Sequence, residues 1–436
     1  MRTDTAVFAA VRSSRWTLVI AVAAVAGGYA GLLSWDVAHY DWLRGYDAYA
    51  NSLYSDVIRL HHRLPTTTET DVWHTPPLFF ALAALVHSHR AMQFLDGASA
   101  LAVAVFAGLI ARELFPRSRL IQVAALAFAA LTPVLTRTAV MYHPEPLAAA
   151  LAAAGLYVIV RTLERRRHVL RGGSVAGLLF GLAILTRTWA IAPAGACFVG
   201  LVLFAWLERE PHHVYGAALM VGVVLILTLP WFVHQARAHG SPFAFNRPAP
   251  KEGFFSRRPA SFYLSLDVGA VLSHPYAPNF ANHLLPVLYT DWWGDYWRYF
   301  DIPYENISSP PSLPPRYEQP RVRQSYVGIA PTLLGVAGFV GVAWAALRRR
   351  SPALLVLTLA IVLLGIQFLV FQIAYPHPDG DTIKAAYLLN AVAPLAVCAA
   401  YALGWVSRAG RLVTVALLSL LVYAAVLDIS FLVLPS

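Results

Sequence analysis

The chain of 436 residues carries little charge: Asp, Glu, Lys and Arg together make up 13% of it, about half of the share in soluble domains. Lysine is almost absent, since Lys251 and Lys384 are the only two. Hydrophobic residues make up 58%, and the mean hydropathy is +0.57. This composition excludes an ordinary soluble domain and predicts an all-α polytopic membrane protein.

Cysteine is equally scarce. The two cysteines, Cys197 and Cys398, both lie inside apolar runs. A disulfide framework needs a larger and regularly spaced set, so we expect none here.

Arginine, in contrast, is abundant. The net charge is +10, and of the 33 basic residues all but the two lysines are arginine. Many arginines form short clusters between apolar runs, which is the pattern that orients helices in a membrane. The positive charge therefore indicates membrane topology, and we expect membrane lipids and no nucleic acid as partners.

Twelve apolar runs can be recognised. They lie at about 16–35, 77–87, 93–115, 119–139, 144–162, 171–187, 189–207, 213–233, 325–347, 352–374, 385–406 and 411–433. Neighbouring arginine clusters are separated by two runs, except that the first interval holds three. The run "PPLFFALAALV" is the shortest and falls well below the roughly 20 residues that span a bilayer.

We therefore predict that residues 77–88 lie at the membrane surface or re-enter it. This gives a bundle of about 11 transmembrane helices, with the N-terminus inside and the C-terminus outside. Twelve spans with one misplaced loop is the alternative. The predicted parts are a membrane module at 1–233 with an external loop at 36–92, a Pro- and aromatic-rich external loop at 234–324, and membrane helices at 325–436.

Four ionisable residues are predicted to face the same side of the membrane. They are Asp47 in "GYDAYA", Glu145 in "MYHPEPL", Arg187 in "LAILTRTW" and Lys384 in "DTIKAAYLL". Singly, each has an ordinary explanation: Asp47 could cap a helix, Glu145 suits a helix first turn, and the two cations could reach lipid headgroups.

Together, these residues predict chemistry. Carboxylates serve as general bases and as metal ligands, whereas Arg and Lys bind phosphate. Two carboxylates and two cations at one membrane face therefore indicate transfer of a group from a lipid phosphate.

The order of these motifs resembles the GT-C superfamily of integral membrane glycosyltransferases, and most closely the protein O-mannosyltransferase and lipid A aminoarabinose transferase branch. Asp47 and the following "WHTPPLFFALAAL" match the family's first external loop. Glu145 matches the acidic residue that opens a later helix. "GLLFGLAILTR" matches a pattern in which Arg187 stands where lysine is frequent, and "KAAYLLNAVAP" matches a Lys-Tyr-Leu-Pro pattern with its proline displaced.

Two features depart from the family pattern. Ala48 stands where a glutamate usually follows the catalytic aspartate, which leaves the positioning of the base open. No large soluble C-terminal domain follows, which argues against transfer of a whole oligosaccharide.

The resemblance implies a polyprenyl-phosphate-sugar-dependent glycosyltransferase with the N-terminal module as its catalytic part. Asp47 would act as the base and Glu145 as a second catalytic carboxylate. The residues expected to bind substrate are Lys384, Arg187, His143, His74, Tyr387 and Asp295. A divalent metal ion, if one binds, would use Glu145 and His143. The donor would be a polyprenyl-phosphate sugar and the acceptor a lipid, a glycan or a protein, at the outer face of a bacterial inner membrane.

Two other functions fit the same sequence features. One is a transporter or flippase of a lipid-linked or anionic substrate, although that class favours charges in mid-helix and repeated halves. The other is a non-catalytic protein of the same fold that binds polyprenyl lipids. The sequence does not identify the sugar or the acceptor.

Overall fold

The computed structural model describes residues 15–248, 250–280, 282–298, 300, 315–377 and 382–432. Over these ranges the chain is helical and has no β-strand. The first part contains α1 (Arg15–His39), α2 (Ala48–His61), α3 (Leu78–Val86), α4 (His89–Leu114), α5 (Arg119–Ala130), α6 (Pro133–Val140), α7 (Glu145–Arg165), α8 (Val169–Thr186), α9 (Ile191–Glu208) and α10 (His212–His239).

The second part contains α11 (Ala260–Leu264), α12 (Val268–Ser273), α13 (Leu284–Trp293), α14 (Pro315–Val327), α15 (Ile329–Arg349), α16 (Pro352–Ala374), α17 (Val392–Ala409) and α18 (Arg411–Leu432). Short 3₁₀ helices occupy Thr188–Ala190, Phe254–Ser256 and Ala385–Ala391. The predicted fold class, an all-α polytopic bundle, is confirmed.

Among the described residues, nine helices are long and apolar enough to cross a membrane. The apolar run at 119–139, predicted as one helix, is instead two: α5 and α6 meet at an angle of 49°. Pro133 lacks the N–H that would continue the backbone ladder, so the helix breaks there. Counting this bent pair as one span gives ten. In α18 the apolar stretch Leu412–Tyr423 is shorter than a span, so an eleventh crossing stays a prediction.

The first long loop contains two helices, and the one at the predicted segment 77–88 is short. α3 has nine residues and rises about 14 Å, roughly half of the hydrocarbon thickness. With α2 it packs on a small apolar cluster that includes Tyr54, Phe79 and Phe80. The Tyr54 hydroxyl donates a hydrogen bond to the Thr75 carbonyl oxygen at 3.1 Å. The loop is therefore an ordered part of the structure.

α8 and α10 approach each other closely. A Cβ atom at Gly173 would stand 2.2 Å from the Gly216 carbonyl oxygen, and one at Gly177 would stand 2.6 Å from the Met220 carbonyl oxygen. Glycines four residues apart allow two helix backbones to pack in this way. This contact fixes the position of α8, which ends at Thr186, and thereby the position of Arg187, the next residue.

Cysteine labelling tests the topology of the first loop. Single cysteines at His61, before α3, and at Arg90, after it, should react with a membrane-impermeant maleimide from the same side, since α3 is too short to cross. A cysteine at Arg117 should react only from the opposite side. Cys197 and Cys398 are buried, so the background should be low. Opposite-side labelling of positions 61 and 90 would contradict the topology.

Candidate active site

Asp47 lies at the turn that opens α2. Its φ is 60°, in the left-handed region, which aspartate and asparagine tolerate better than most residues. It occupies the N-cap position, yet its side chain makes no capping bond. The carboxylate is therefore available for another partner, and one-third of the side chain is exposed (33%).

Lys384 is that partner. Its Nζ lies 3.4 Å from Asp47 Oδ2 and 4.7 Å from the ring centroid of Tyr46. Lys384 immediately precedes the 3₁₀ helix Ala385–Ala391, and its side chain is only 10% exposed. The ion pair thus joins the first loop to the last third of the chain.

Glu145 and Arg187 form a second, more deeply buried ion pair. Arg187 Nε donates to Glu145 Oε1 at 2.5 Å, and the ring nitrogen Nδ1 of His143 contacts the other carboxylate oxygen. Arg187 also donates to the Thr75 hydroxyl at 2.9 Å and lies over the Tyr387 ring, 5.8 Å from its centroid. The Glu145 side chain is 3% exposed, so it is far less accessible than Asp47.

The two ion pairs form one electrostatic unit. Burial raises the pKa of Asp47, but the positive charges of Lys384, His143 and Arg187 outweigh it, so this pKa lies below its usual value. Burial first, and then the charge of Arg187, lower the pKa of His74 to about 3. At neutral pH we therefore expect Asp47 to be ionised and His74 to be uncharged.

Asp291 fixes the backbone next to Lys384. This residue lies in α13, and its Oδ2 accepts a hydrogen bond from the Ala385 N–H at 2.6 Å. Arg137, which is buried in α6, donates to the Asp291 carbonyl oxygen at 2.8 Å. Burial raises the pKa of Asp291 to about 7, although the Ala385 N–H and Arg137 oppose this. α13 thereby positions the segment that presents Lys384.

Seven of the eight candidate residues lie together: four form the two ion pairs, and three are next to them or coupled to them. Asp47, Lys384, Glu145, Arg187, His143 and Tyr387 contact or face one another directly. His74 is coupled to them by charge and packs edge-on against Phe245, with ring centroids 4.5 Å apart.

Asp295 lies apart from this group. Its Oδ2 is 3.5 Å from a guanidinium nitrogen of Arg321 and accepts a hydrogen bond from the Phe300 N–H at 3.1 Å. The carboxylate is thus engaged within the segment that follows α13. Contact between Asp295 and a sugar stays a prediction.

Two residues of the site were not anticipated from the sequence. The Thr75 hydroxyl accepts a hydrogen bond from Arg187, but a lone threonine beside two prolines gives no indication of such a role in the sequence. Asp96 is fully buried in α4, where its Oδ2 accepts a hydrogen bond from the His143 N–H at 3.4 Å. A carboxylate inside an apolar helix is costly and often functional, so the run "MQFLDGASALAVAV" did contain a usable signal.

Two groups of side chains have metal-ligand chemistry. In the site, His143 and Glu145 offer an imidazole and a carboxylate, and His143 Nε2 is buried without a hydrogen-bond partner among the described residues. Glu210, His212 and His213 form a separate group, with ligand atoms within 4.8 Å of one another. The residues are therefore compatible with a divalent ion.

Replacing Asp291 tests its role in positioning Lys384. Asp291→Ala removes the acceptor of the buried Ala385 N–H, and leaving such a group unpaired costs about 1–3 kcal/mol. We expect a lower melting temperature than in the unchanged protein. An unchanged melting temperature of Asp291→Ala would show that the backbone next to Lys384 does not depend on this contact.

No protein-family model matches the chain, and no curated protein matches it. Several solved structures do match it. One is the archaeal oligosaccharyltransferase AglB from Archaeoglobus fulgidus, solved with an inhibitory peptide and a dolichol-phosphate. It superimposes with a TM-score of 0.57 at 15% identity, over 96% of this chain and 56% of that one.

Two further structures are similar. The Archaeoglobus fulgidus oligosaccharyltransferase in complex with Zn and sulfate has a TM-score of 0.54 at 15% identity, over 95% of this chain and 52% of that one. ArnT from Cupriavidus metallidurans, bound to undecaprenyl phosphate, has a TM-score of 0.47 at 18% identity, over 91% of this chain and 62% of that one. This chain thus spans between half and two-thirds of the length of these structures.

At such low identity the comparison shows the fold. The superposition on the oligosaccharyltransferase extends over nearly all of this chain. The resemblance predicted from the sequence is confirmed as a likeness of fold. The chain is an integral, multi-pass membrane protein that shares its fold with this oligosaccharyltransferase.

Proposed function

We propose that the protein transfers a sugar from a polyprenyl-phosphate donor to an acceptor hydroxyl, by a single displacement that inverts the anomeric carbon. One observation carries this proposal: a partly exposed aspartate lies against a buried lysine beside a second buried cation. A carboxylate beside a phosphate-binding pair is what this reaction requires.

The donor phosphate would bind between the two cations. Lys384 would supply a compact charge and Arg187 a planar set of donors, both suited to phosphate oxygens. Negative charge develops on the phosphate as the sugar leaves. Fixed cations in a site shielded from water stabilise such charge strongly. Lys384 and Arg187 would therefore favour departure of polyprenyl phosphate.

An apolar groove offers a place for the polyprenyl chain. It has a volume of about 770 Å³ and is lined mainly by hydrophobic side chains of α13, α15 and α17. Leu388, four residues beyond Lys384, lines it, and so does Trp292, the neighbour of Asp291. A lipid chain in this groove would end next to the proposed phosphate site. The neighbour structure solved with dolichol-phosphate supports a lipid of this class.

Asp47 would take the proton of the acceptor hydroxyl. As the hydroxyl oxygen bonds to the anomeric carbon, the bond from that carbon to the phosphate oxygen breaks. The proton passes to the Asp47 carboxylate, and the bonding electrons leave on the phosphate. Asp47 suits this role better than Glu145, because one-third of its side chain is exposed whereas Glu145 is enclosed.

Donor binding would also strengthen the base. In the free protein, Lys384 and Arg187 hold the pKa of Asp47 below its usual value, which makes the carboxylate a weak base. A donor phosphate that pairs with these cations would offset their charge. The pKa of Asp47 would then rise, because a nearby negative charge disfavours the ionised form. Proton abstraction would thus be favoured only when the donor is in place.

Glu145 would act mainly through Arg187, whose guanidinium it orients together with Thr75. Tyr387 and the uncharged His74 would line the donor site. A divalent ion, if it binds, would be held by His143 and Glu145 and would add positive charge near the phosphate. The Glu145 carboxylate is already paired with Arg187, so none of the proposed steps requires that ion.

We place this reaction at the outer face of a bacterial inner membrane, with the aspartate and lysine on that side. The positions of the arginine clusters support this orientation. The acceptor would be a lipid, a glycan or a protein. The transporter alternative has less support, because the charges lie at helix ends on one face and not near mid-helix.

Asp47→Asn tests the base directly. Asparagine keeps the size of the side chain and tolerates the left-handed backbone, but cannot take the proton. A general base contributes roughly 10²–10⁴-fold, so we expect transfer to slow at least about a hundredfold. The measurement is the initial rate with a radiolabelled polyprenyl-phosphate sugar and membranes that contain the natural acceptor.

Two nearby acids provide controls for this variant. Asp41 accepts a hydrogen bond from the Leu43 N–H, and Asp56 forms an exposed pair with Arg59. Asp41→Asn and Asp56→Asn should therefore keep most of the activity. Near-normal transfer by Asp47→Asn, with a loss in either control, would place the base elsewhere in the loop.

Lys384→Ala tests the phosphate site, with Lys251→Ala as the matched control, since Lys251 is exposed outside the site. A charge-assisted contact contributes roughly 1.5–3 kcal/mol, so Lys384→Ala should raise the Kd for polyprenyl phosphate about ten- to hundredfold. Lys384→Arg should keep part of the affinity. Equal effects of the two alanine variants would refute the assignment.

A further inference from the structure

A second charged cavity lies at the opposite end of α7 from Glu145. The helix runs 21 residues from Glu145 to Arg165, which places its ends about 30 Å apart, close to the thickness of the hydrocarbon core. The cavity has a volume of about 690 Å³, and its walls are the end of α7 and the start of α8. It therefore faces the other leaflet and is separate from the candidate active site.

The cavity is strongly basic. Its lining includes four arginines and a histidine: Arg161, Arg165, Arg167, Arg171 and His168. Arg165 is neutralised, because it forms a bidentate pair with Glu113. The other three arginines form no ion pair among the described residues. Arg161 donates to the Tyr157 hydroxyl at 3.3 Å and lies over the same ring, 6.0 Å from its centroid.

Another arginine of the same loop does have a carboxylate partner, so the loop leaves only some of its arginines without one. Arg166, which lies between these residues in sequence, is not part of the cavity lining; it pairs with Glu208 and lies over the Phe204 ring. The loop thus neutralises the arginine outside the cavity lining and leaves three cations uncompensated around one cavity. Like charges held together without a counter-ion favour the binding of an anion.

The apolar side of the cavity indicates which kind of anion. Tyr157, Val158 and Val175 contribute to its wall. On α8, Val175 is 39% exposed and Leu178 is 47% exposed, as expected of a surface in contact with lipid chains. A ligand there would meet positive charge at the membrane surface and apolar side chains below it. That combination fits a lipid better than a soluble phosphate.

We propose that this cavity binds the headgroup of an anionic glycerophospholipid in the leaflet opposite the active site. Arg161, Arg167 and Arg171 would bind the phosphate oxygens, and the acyl chains would run along α8 past Val175. Basic pockets between membrane helices recognise headgroups of this class.

Native mass spectrometry of the full-length protein in detergent tests the proposal. The probes are phosphatidylglycerol and phosphatidylcholine with identical acyl chains. We expect phosphatidylglycerol to stay bound and to raise the melting temperature, with little effect of phosphatidylcholine. Equal retention of the two lipids would overturn the proposal, because it would show that the acyl chains alone are recognised.

Variants then assign the site. Arg161→Gln/Arg167→Gln/Arg171→Gln should weaken phosphatidylglycerol binding by at least about tenfold, since each basic residue near anionic lipid contributes about fivefold. The matched control is Arg348→Gln/Arg349→Gln/Arg350→Gln, which removes the same charge at the end of α15, outside the cavity. A similar loss in both variants would show attraction by bulk charge and would refute a specific site.

Two further arms complete the test. Inorganic phosphate at millimolar concentration should not displace the lipid; full displacement would identify a site for a free anion instead. If the triple variant does not fold, Arg167→Gln alone, at an exposed position, replaces it and should weaken binding about fivefold. Unchanged binding in that folded single variant would also contradict the proposal.

Discussion

The ion pair between Asp47 and Lys384 joins two side chains that are 337 positions apart in the sequence. Much of the surrounding structure serves to bring them together. The turn before α2 frees the Asp47 side chain from capping, and Asp291 in α13 holds the backbone beside Lys384. The site can therefore form only when the first loop and the last third of the chain are both docked on the bundle.

Two carboxylates of the site each pair with one cation, and one pair is enclosed whereas the other is partly open. The proposed phosphodiester donor would add one negative charge to this set. In a poorly hydrated site that charge shifts the proton affinity of its neighbours. The same interaction that binds the donor would thus prepare Asp47 to accept a proton, which links binding to chemistry without a conformational change.

Much of this arrangement could be predicted from the sequence. Arginine clusters and one short apolar run indicated most of the spans and the short helix α3, and the polar residues at helix ends indicated which side chains come together. The break at Pro133 was missed, although a proline inside an apolar run was a usable signal. The buried Asp96 was also missed, although a carboxylate inside an apolar run was a usable signal. The contacts of Thr75 and Asp291 could not be predicted, because they depend on distant segments packed side by side and not on any local pattern.

In the proposed reaction, Asp47 is the base and the donor phosphate raises its pKa. The most direct test compares the pH dependence of kcat/KM for the donor, which reports the free protein, with that of kcat, which reports the donor complex. This mechanism predicts that kcat/KM stays level as the pH falls from 8 to 5, since the cations keep Asp47 ionised, and that the decline in kcat begins at a higher pH. Coincident acid limbs for the two parameters, or an acid limb of kcat that persists in Asp47→Asn, would contradict it.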